Sequence, residues 1–337
     1  MGSRSTVAVK PTKQSPSHEP NKLDARSVDG PIDIRLIDPA SAEYRRALHF
    51  ALNVPLPPGS AMAPAVCDLF ASVERGMAGI DLLIGAFEHG ELIQAALAIE
   101  SPGRAALISL PYELSTETQY SATGEILRTL QREAWKRSII LLEVLTIPPS
   151  LRLGDALHAA GFRSLTHLNY LRRSAMARPH RRFVERNDLD WVTYSADQQP
   201  LFETALERTY LQSMDCPELT ALRRTSDVLA GHQAAGVFDP NLWWVARHRG
   251  EPLGVMLLNR FADGFGTEIV YMGVAHGSRG QGIGDALLQR ACNATRNVKA
   301  QVIALAVDTR NAAARLMYER WGFRETAVRE AWIACYP

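Results

Sequence analysis

The sequence predicts an α/β chain made of two similar halves, each a mixed, mostly antiparallel central sheet flanked by helices. Three observations lead there. Strand-like and helix-like runs follow one another in the same order in both halves. Each half carries a short helix that stops at Gly-Phe, Gly161-Phe162 and Gly322-Phe323, with a strand behind it. A length of 337 residues suits two domains, and 46% hydrophobic residues are enough for two cores.

Residues 1–30 are rich in Ser, Pro, Lys and His and lack an apolar core, so a disordered tail is expected rather than a signal peptide. The first half, over 31–173, opens with a strand at 34–37 and helices near 42–52 and 63–76. Apolar runs at 82–87, 92–99 and 105–110 read as strands. The segments Glu88-His89-Gly90-Glu91 and Ser101-Pro102-Gly103-Arg104 between them have hairpin chemistry. A helix at 124–137, a buried strand at 139–145 and the short helix 153–160 follow. Basic residues between Arg172 and Arg186, with Pro179, make a linker over 174–189. The second half, 190–337, repeats the order. It has a strand at 190–194, helices at 198–212 and 219–235, and strands at 242–247, 253–259 and 268–274, with Gly250 and Gly264 at the turns. A helix opens near 285, a strand runs over 301–307, a helix over 312–320 and a last strand over 323–333.

Composition excludes several classes. The formal net charge is +1, so no broad basic field points to nucleic acid. Cys67, Cys216, Cys292 and Cys335 lack pair spacing, which argues against a zinc site or a disulfide framework. No metal is expected, and reduced cysteines fit a cytoplasmic protein. No apolar run approaches the length of a membrane span. A monomer and a homodimer both remain open.

The segment Arg279-Gly280-Gln281-Gly282-Ile283-Gly284-Asp285 carries the most chemistry. It links a strand that ends in Met272-Gly273-Val274 to an amphipathic helix. Three glycines at alternate positions remove the Cβ atoms that would hold a ligand off the backbone. The first N–H groups of the helix are then free to point at an anion. Arg279 adds a charge and a planar fork suited to phosphate oxygens. The spacing fits neither a dinucleotide fingerprint, since Asp285 stands where the third glycine belongs, nor a Walker loop, since no Lys follows.

With Asn311 at the head of the next helix, Ala314 and Tyr318 along it and Gly322-Phe323 at its end, this segment resembles the GNAT family of acyl-CoA-dependent N-acyltransferases. The resemblance covers about 242–333 and implies two tandem GNAT folds. It also implies an N-acetyltransferase that moves an acetyl group directly from acetyl-CoA, as cosubstrate, to a primary amine of a small molecule. Met272, Gly273 and Val274 would flank the pantetheine arm and residues 280–285 would hold the pyrophosphate. Asn311 would cap its helix or reach the cofactor arm. Tyr318, two helical turns after Asn311, would give a proton to the departing thiolate. Glu268 would act as base, directly or through water. Strand alternation places it on one face with Met272 and Val274. Asp215 and Glu218, in the segment that sets specificity in these folds, would hold an ammonium substrate or serve as caps and solvated charges.

The first half lacks this chemistry. Leu114-Ser115-Thr116-Glu117-Thr118-Gln119-Tyr120 stands where a phosphate loop belongs, without glycine and with a carboxylate. Leu157 or His158 takes the place of Tyr318. A degenerate copy ahead of an active one resembles the mycothiol synthase type of tandem GNAT, with no substrate carried over. A sensor that binds acyl-CoA without turnover is the alternative. Tyr318 and Glu268 favour the enzyme, because a sensor needs neither a proton donor nor a base.

Overall fold

The computed structural model describes residues 32–55, 64–76, 78–148, 151–177 and 186–337. The expected disordered tail, 1–30, and Pro179 of the expected linker lie outside the described residues. The first half runs β1 (Asp33–Leu36), α1 (Tyr44–Ala51), α2 (Pro64–Glu74), β2 (Gly79–Glu88), β3 (Glu91–Ser101), β4 (Ala105–Ser109), α3 (Glu117–Lys136), β5 (Leu141–Thr146), α4 (Leu151–Ala159) and β6 (Arg163–Ser174). The second runs β7 (Asp190–Thr193), α5 (Gln199–Tyr210), α6 (Thr225–Ala234), β8 (Trp243–His248), β9 (Glu251–Arg260), β10 (Gly266–Val274), α7 (Ile283–Asn297), β11 (Val302–Asp308), α8 (Ala312–Arg320) and β12 (Arg324–Cys335). Among the described residues no helix is long and apolar enough to cross a membrane.

Two elements differ from the sequence expectation for local reasons. Helix α3 starts at Glu117 rather than 124, because Thr116 and Gln119 form a reciprocal capping box. The helix expected over 219–235 is shortened to Thr225–Ala234. Cys216 and Ala221 adopt left-handed backbone (φ 44° and 69°), so the chain before it is a 3-10 turn and a loop.

The strands form one 12-stranded sheet in the order β1-β2-β3-β4-β5-β12-β6-β11-β10-β9-β8-β7. It is antiparallel except at β4–β5 and β10–β11. The halves exchange their last strands. β12 lies between β5 and β6, with Glu330–Cys335 opposite Thr146–Leu141. β6 in turn pairs with β11 over Leu168–Ser174. Gly154 of α4 leaves room for the ring of Trp332 from β12; a Cβ there would stand 3.2 Å from it.

Helices α3, α4 and α7 cover one face of the sheet, over cores that include Ile126, Leu130, Leu142 and Val144 in one half and Leu287, Leu288, Ile303 and Leu305 in the other. Helices α1 and α5 cover the ends of the opposite face. Between those ends the chain from 211 to 224 crosses the sheet. Its Leu219 and Leu222 pack on Ala105, Leu141 and Ile333. The Gly103 turn of the first half (φ 96°) fits so closely against α6 that a Cβ would lie 2.0 Å from the Asp227 carbonyl. Arg223 Nη1 donates to the Gly103 carbonyl at 3.2 Å.

Because each half is completed by a strand of the other, residues 32–337 should unfold in one cooperative step. Calorimetric and van't Hoff enthalpies are expected to agree. Two resolved transitions, each matching one half, would contradict the exchange.

Candidate active site

The site begins where β10 and β11 part. Their pairing ends at Ile269–Leu305. Beyond it, within the sheet, Tyr271–Val274 pair only with β9 and Ala306–Asp308 only with β6. The facing edges keep backbone groups that the sheet does not use. A cavity of about 510 Å³ opens there, walled by Met272, Gly273 and Val274 on one side and by Asn311, Ala314 and Tyr318 of α8 on the other. Gly273 is needed at this point, since a Cβ would fall 2.6 Å from Thr209 of α5.

At one end of the cavity lies the glycine loop. Gly280 and Gly282 have φ of 75° and 80°, and a Cβ on either would point into open space. Gly282 is the residue before the first turn of α7, so no side chain caps the N–H groups that follow. Gly280, Gly282, Gly284 and Asp285 line the cavity. Asp285 also accepts from Trp321 Nε1 at 2.8 Å, tying the start of α7 to the end of α8. Two residues expected here point elsewhere. The Gln281 side chain donates to the Gly277 carbonyl at 2.9 Å, and Ile283 is buried beneath α7, so each brings only its backbone to the loop.

Arg279 is engaged by backbone groups that the sequence reading did not anticipate. Its guanidinium donates to the carbonyls of Thr209 (3.1 Å), Leu211 (2.9 Å) and Gln212 (2.8 Å) at the end of α5, and Nε donates to Val274 at 3.1 Å. These carbonyls are left over at a helix C-terminus, where a cation is favourable. The side chain therefore clamps α5 to β10, and it also borders the cavity beside the glycine loop.

Asn311 Oδ1 accepts from the Ala314 N–H at 3.2 Å and caps α8. Tyr318 is buried, 6% exposed, with Phe323 edge-on at 5.5 Å. Burial, and then the charge of Asp215, push its phenol well above the ordinary range. The shift favours the protonated form, the one able to donate.

Glu268 is not where strand alternation places it. Thr267 bonds Thr295 of α7, and Ile269, Met272 and Val274 all pack against that same face. A β-bulge between Ile269 and Tyr271 inserts one residue, so the alternation slips. Glu268 therefore lies on the opposite face, with Val270 and Tyr271, and not with Met272 and Val274. It lines neither the cavity above nor the one described next. Burial raises its carboxyl above the usual range, with Arg172 pulling it back.

On that opposite face is a second cavity of about 690 Å³, which shares Asp215 and Tyr271 with the first. Arg223, His232 and Tyr210 also line it. His232 is neutral: burial, then the nearby Arg223, lower it to about 4. The Tyr210 hydroxyl is raised to about 12, chiefly by burial. Sequence patterns missed these residues, because they lie scattered over the end of α5, the loop and α6 with no motif spacing.

Asp215 and Glu218 part company. Asp215 opens onto both cavities and accepts from the Asp308 N–H at 2.9 Å. Loss of solvation in the cleft raises its carboxyl; the Asp308 N–H opposes this, and the Asp308 charge adds to it. Glu218 is held in a two-point pair by Arg310, at 2.6 and 2.9 Å, and lines neither cavity. It is a partner for Arg310, not an ammonium site. Asp215, Cys216 and Asp308 come close enough together to suggest a cation site. The Asp308 carboxylate is already paired with the Arg310 guanidinium, with Nη2 at 2.7 Å.

If Arg279 acts as a clamp, Arg279→Lys should lose acetyl-CoA affinity nearly as fully as Arg279→Gln, because the charge remains while the carbonyl bonds go. Titration calorimetry of both variants tests this. Near wild-type affinity in the Lys variant would make Arg279 a phosphate ligand.

The chain was then compared with known proteins. Residues 206–323 match the model described as the acetyltransferase (GNAT) family. Mycothiol acetyltransferase of Beutenbergia cavernae is 36% identical over 94 residues, 27% of this chain and 31% of that protein. The matched segment thus spans about a third of the relative's length. A GCN5-related N-acetyltransferase from Sphaerobacter thermophilus superposes with a TM-score of 0.60 at 16% identity, over 90% of this chain and 95% of that one. A tandem GNAT protein from the clavulanic acid biosynthesis pathway gives 0.54 at 13% identity, over 91% and 99%. At such identities these two likenesses speak for the fold. Residues 206–323 thus resemble the GNAT acetyltransferase family, and the chain as a whole has the fold of a tandem GNAT protein.

Proposed function

We propose that the second half transfers an acetyl group from acetyl-CoA to a primary amine of a small molecule, in one step within a ternary complex. The observation that carries this reading is the meeting of two cavities at Asp215 and Tyr271. One is headed by the open N-terminus of α7 and suits the cofactor; the other, on the far face of the sheet, suits the acceptor. A sensor would have no use for a second cavity that meets the first.

Backbone N–H groups at 280–285 would hold the pyrophosphate. The unused strand groups of Tyr271–Val274 would bond the pantetheine amides. The amine nitrogen bonds to the carbonyl carbon, the carbon–sulfur bond breaks, and the thiolate takes the Tyr318 proton. Glu268 takes the proton lost by the amine. Since its side chain lines neither cavity, water would relay that proton. Asp215 is the carboxylate placed to receive an ammonium acceptor.

The first half, over about 31–173, serves as a degenerate copy. Its counterpart helix, α3, closes its own N-terminus: Thr116 Oγ1 accepts from the Gln119 N–H at 3.1 Å, and Gln119 Oε1 accepts from Ser115 at 2.9 Å. Glu117 adds a negative charge there, paired with Arg152 at 3.0 Å. Such an end repels phosphate. Calorimetry should count one acetyl-CoA per chain; two equivalent sites would overturn this assignment.

Tyr318→Phe should keep acetyl-CoA affinity and lower turnover by about 10²–10⁴-fold, the range for a lost acid or base. An unchanged rate, with chemistry shown to be limiting, would leave Tyr318 as a packing residue.

The pH dependence of Glu268→Gln follows from the raised carboxyl. Below that raised pKa the wild-type group is itself protonated and cannot act as base. Above the pKa of the amine no base is needed. The ratio of wild-type to variant rate should therefore peak between the two and fall toward both ends. A ratio flat across pH would assign Glu268 a structural role.

A further inference from the structure

The face of the sheet that carries Glu268 continues across the exchanged strands into a third cavity. This one is about 320 Å³ and is lined by Tyr112 and residues 107–110 of the first half, by Tyr170 and Arg172 of β6, and by Arg329 of β12. We propose that it binds the anionic end, a carboxylate or a phosphate, of the amine acceptor. The inference rests on the acetyl-transfer reading above and adds a substrate class to it.

Register ties this cavity to the reacting centre. Glu268, Ala304 and Arg172 stand in one row across β10, β11 and β6. Ala306, Tyr170 and Ala327 form the next row. Leu168, which lines the acceptor cavity, pairs with Arg329. The small side chains of Ala304 and Ala306 leave the face low between the acceptor cavity and the two arginines. Two strand spacings separate β10 from β6, roughly 10 Å. Tyr170 sits along the path. Burial chiefly raises its hydroxyl; Glu268 adds to the rise, Arg329 opposes it, and Glu143 and Tyr112 add smaller rises, so both Glu268 and Arg329 are near it.

The arginines differ from others near the site. Arg223, Arg279 and Arg310 are committed to carbonyls or carboxylates of other segments. Among the described residues neither Arg172 nor Arg329 is in an ion pair. Arg172 lies 5.7 Å from the ring of Phe261, and Arg329 bonds only the carbonyl of its own neighbour, Val328, at 3.0 Å. Two like charges on one cavity repel. An anion between them removes that repulsion and meets two planar forks suited to carboxylate or phosphate.

The acceptor would then carry an amine at one end and an anion about 10–14 Å away, two to three strand spacings across the sheet, since Arg172 lies on β6 and Arg329 on β12. The test uses ω-amino acids of increasing length, their methyl esters and ω-aminoalkyl phosphates, with acetyl-CoA as donor. Acids or phosphates of one length should exceed the matched uncharged ester in kcat/KM by about 10- to 100-fold, the value of a hydrogen bond to a charged group. Whichever anion shows the larger ratio identifies the source. Arg329→Gln should bring the ratio toward one, and Arg329→Lys should restore part of it. Taking a ratio within each variant cancels any general loss of activity. Esters used as well as acids at every length, or a ratio unchanged in Arg329→Gln, would overturn the proposal. Calorimetry with inorganic phosphate gives a second reading. Phosphate binding that Arg329→Gln removes, with no amine acetylated, would keep the anion site and reject the acetyl-transfer reading. Absence of both phosphate binding and anion preference would reject the site.

Discussion

The pairing of β12 with both β5 and β6 is the constraint on which the rest of the molecule depends. Backbone N–H and C=O groups in the middle of a sheet must find partners. In this chain those of β5 and β6 find them on a strand of the other half. The consequence is a continuous sheet whose open face belongs to neither half alone. The Gly103 turn, Leu219 and Leu222 then fix the loop that roofs the larger of the two joined cavities against strands of the first half. The first half, which has no glycine loop at the matching place, thus still shapes the candidate site of the second.

Within that frame, two local departures from regularity make the site. The parting of β10 and β11 after Ile269–Leu305 supplies unused backbone groups and a gap for a ligand. The bulge at Val270 turns Glu268 away from the cofactor side, toward the face where an acceptor would lie. Without the inserted residue the carboxylate would sit under α7, in an apolar core. Burying a charge there without a partner is costly.

Features set by backbone sterics were legible in the sequence. Gly280 and Gly282 need positive φ and open space, and glycine is the residue that meets both needs. The order of elements also followed from periodicity and turn residues, and with it the tandem plan. Tertiary pairings were not legible. Arg279 reads only as a phosphate ligand until the end of α5 is seen to leave carbonyls beside it. Glu218 reads as a free carboxylate until Arg310, 92 residues away, is brought against it. Strand alternation cannot register a bulge, so it put Glu268 on the wrong face. The exchange of β6 and β12 left no mark, because periodicity marks a strand without naming its partner.

The exchange also orders events in time. Strand β5 is synthesised with its outer edge bare, and the strand that covers it arrives only when residues 330–335 have been made. At about 5–20 residues per second, translation needs roughly 10–40 s to cover that interval. Through it β5 and β6 present unpaired backbone edges, which are templates for joining other chains. Only Glu143 interrupts the apolar run of β5. A nascent chain of this design is thus at its most vulnerable while its first half is already made, and protection in that window falls to chaperones or to slow collapse rather than to the finished fold.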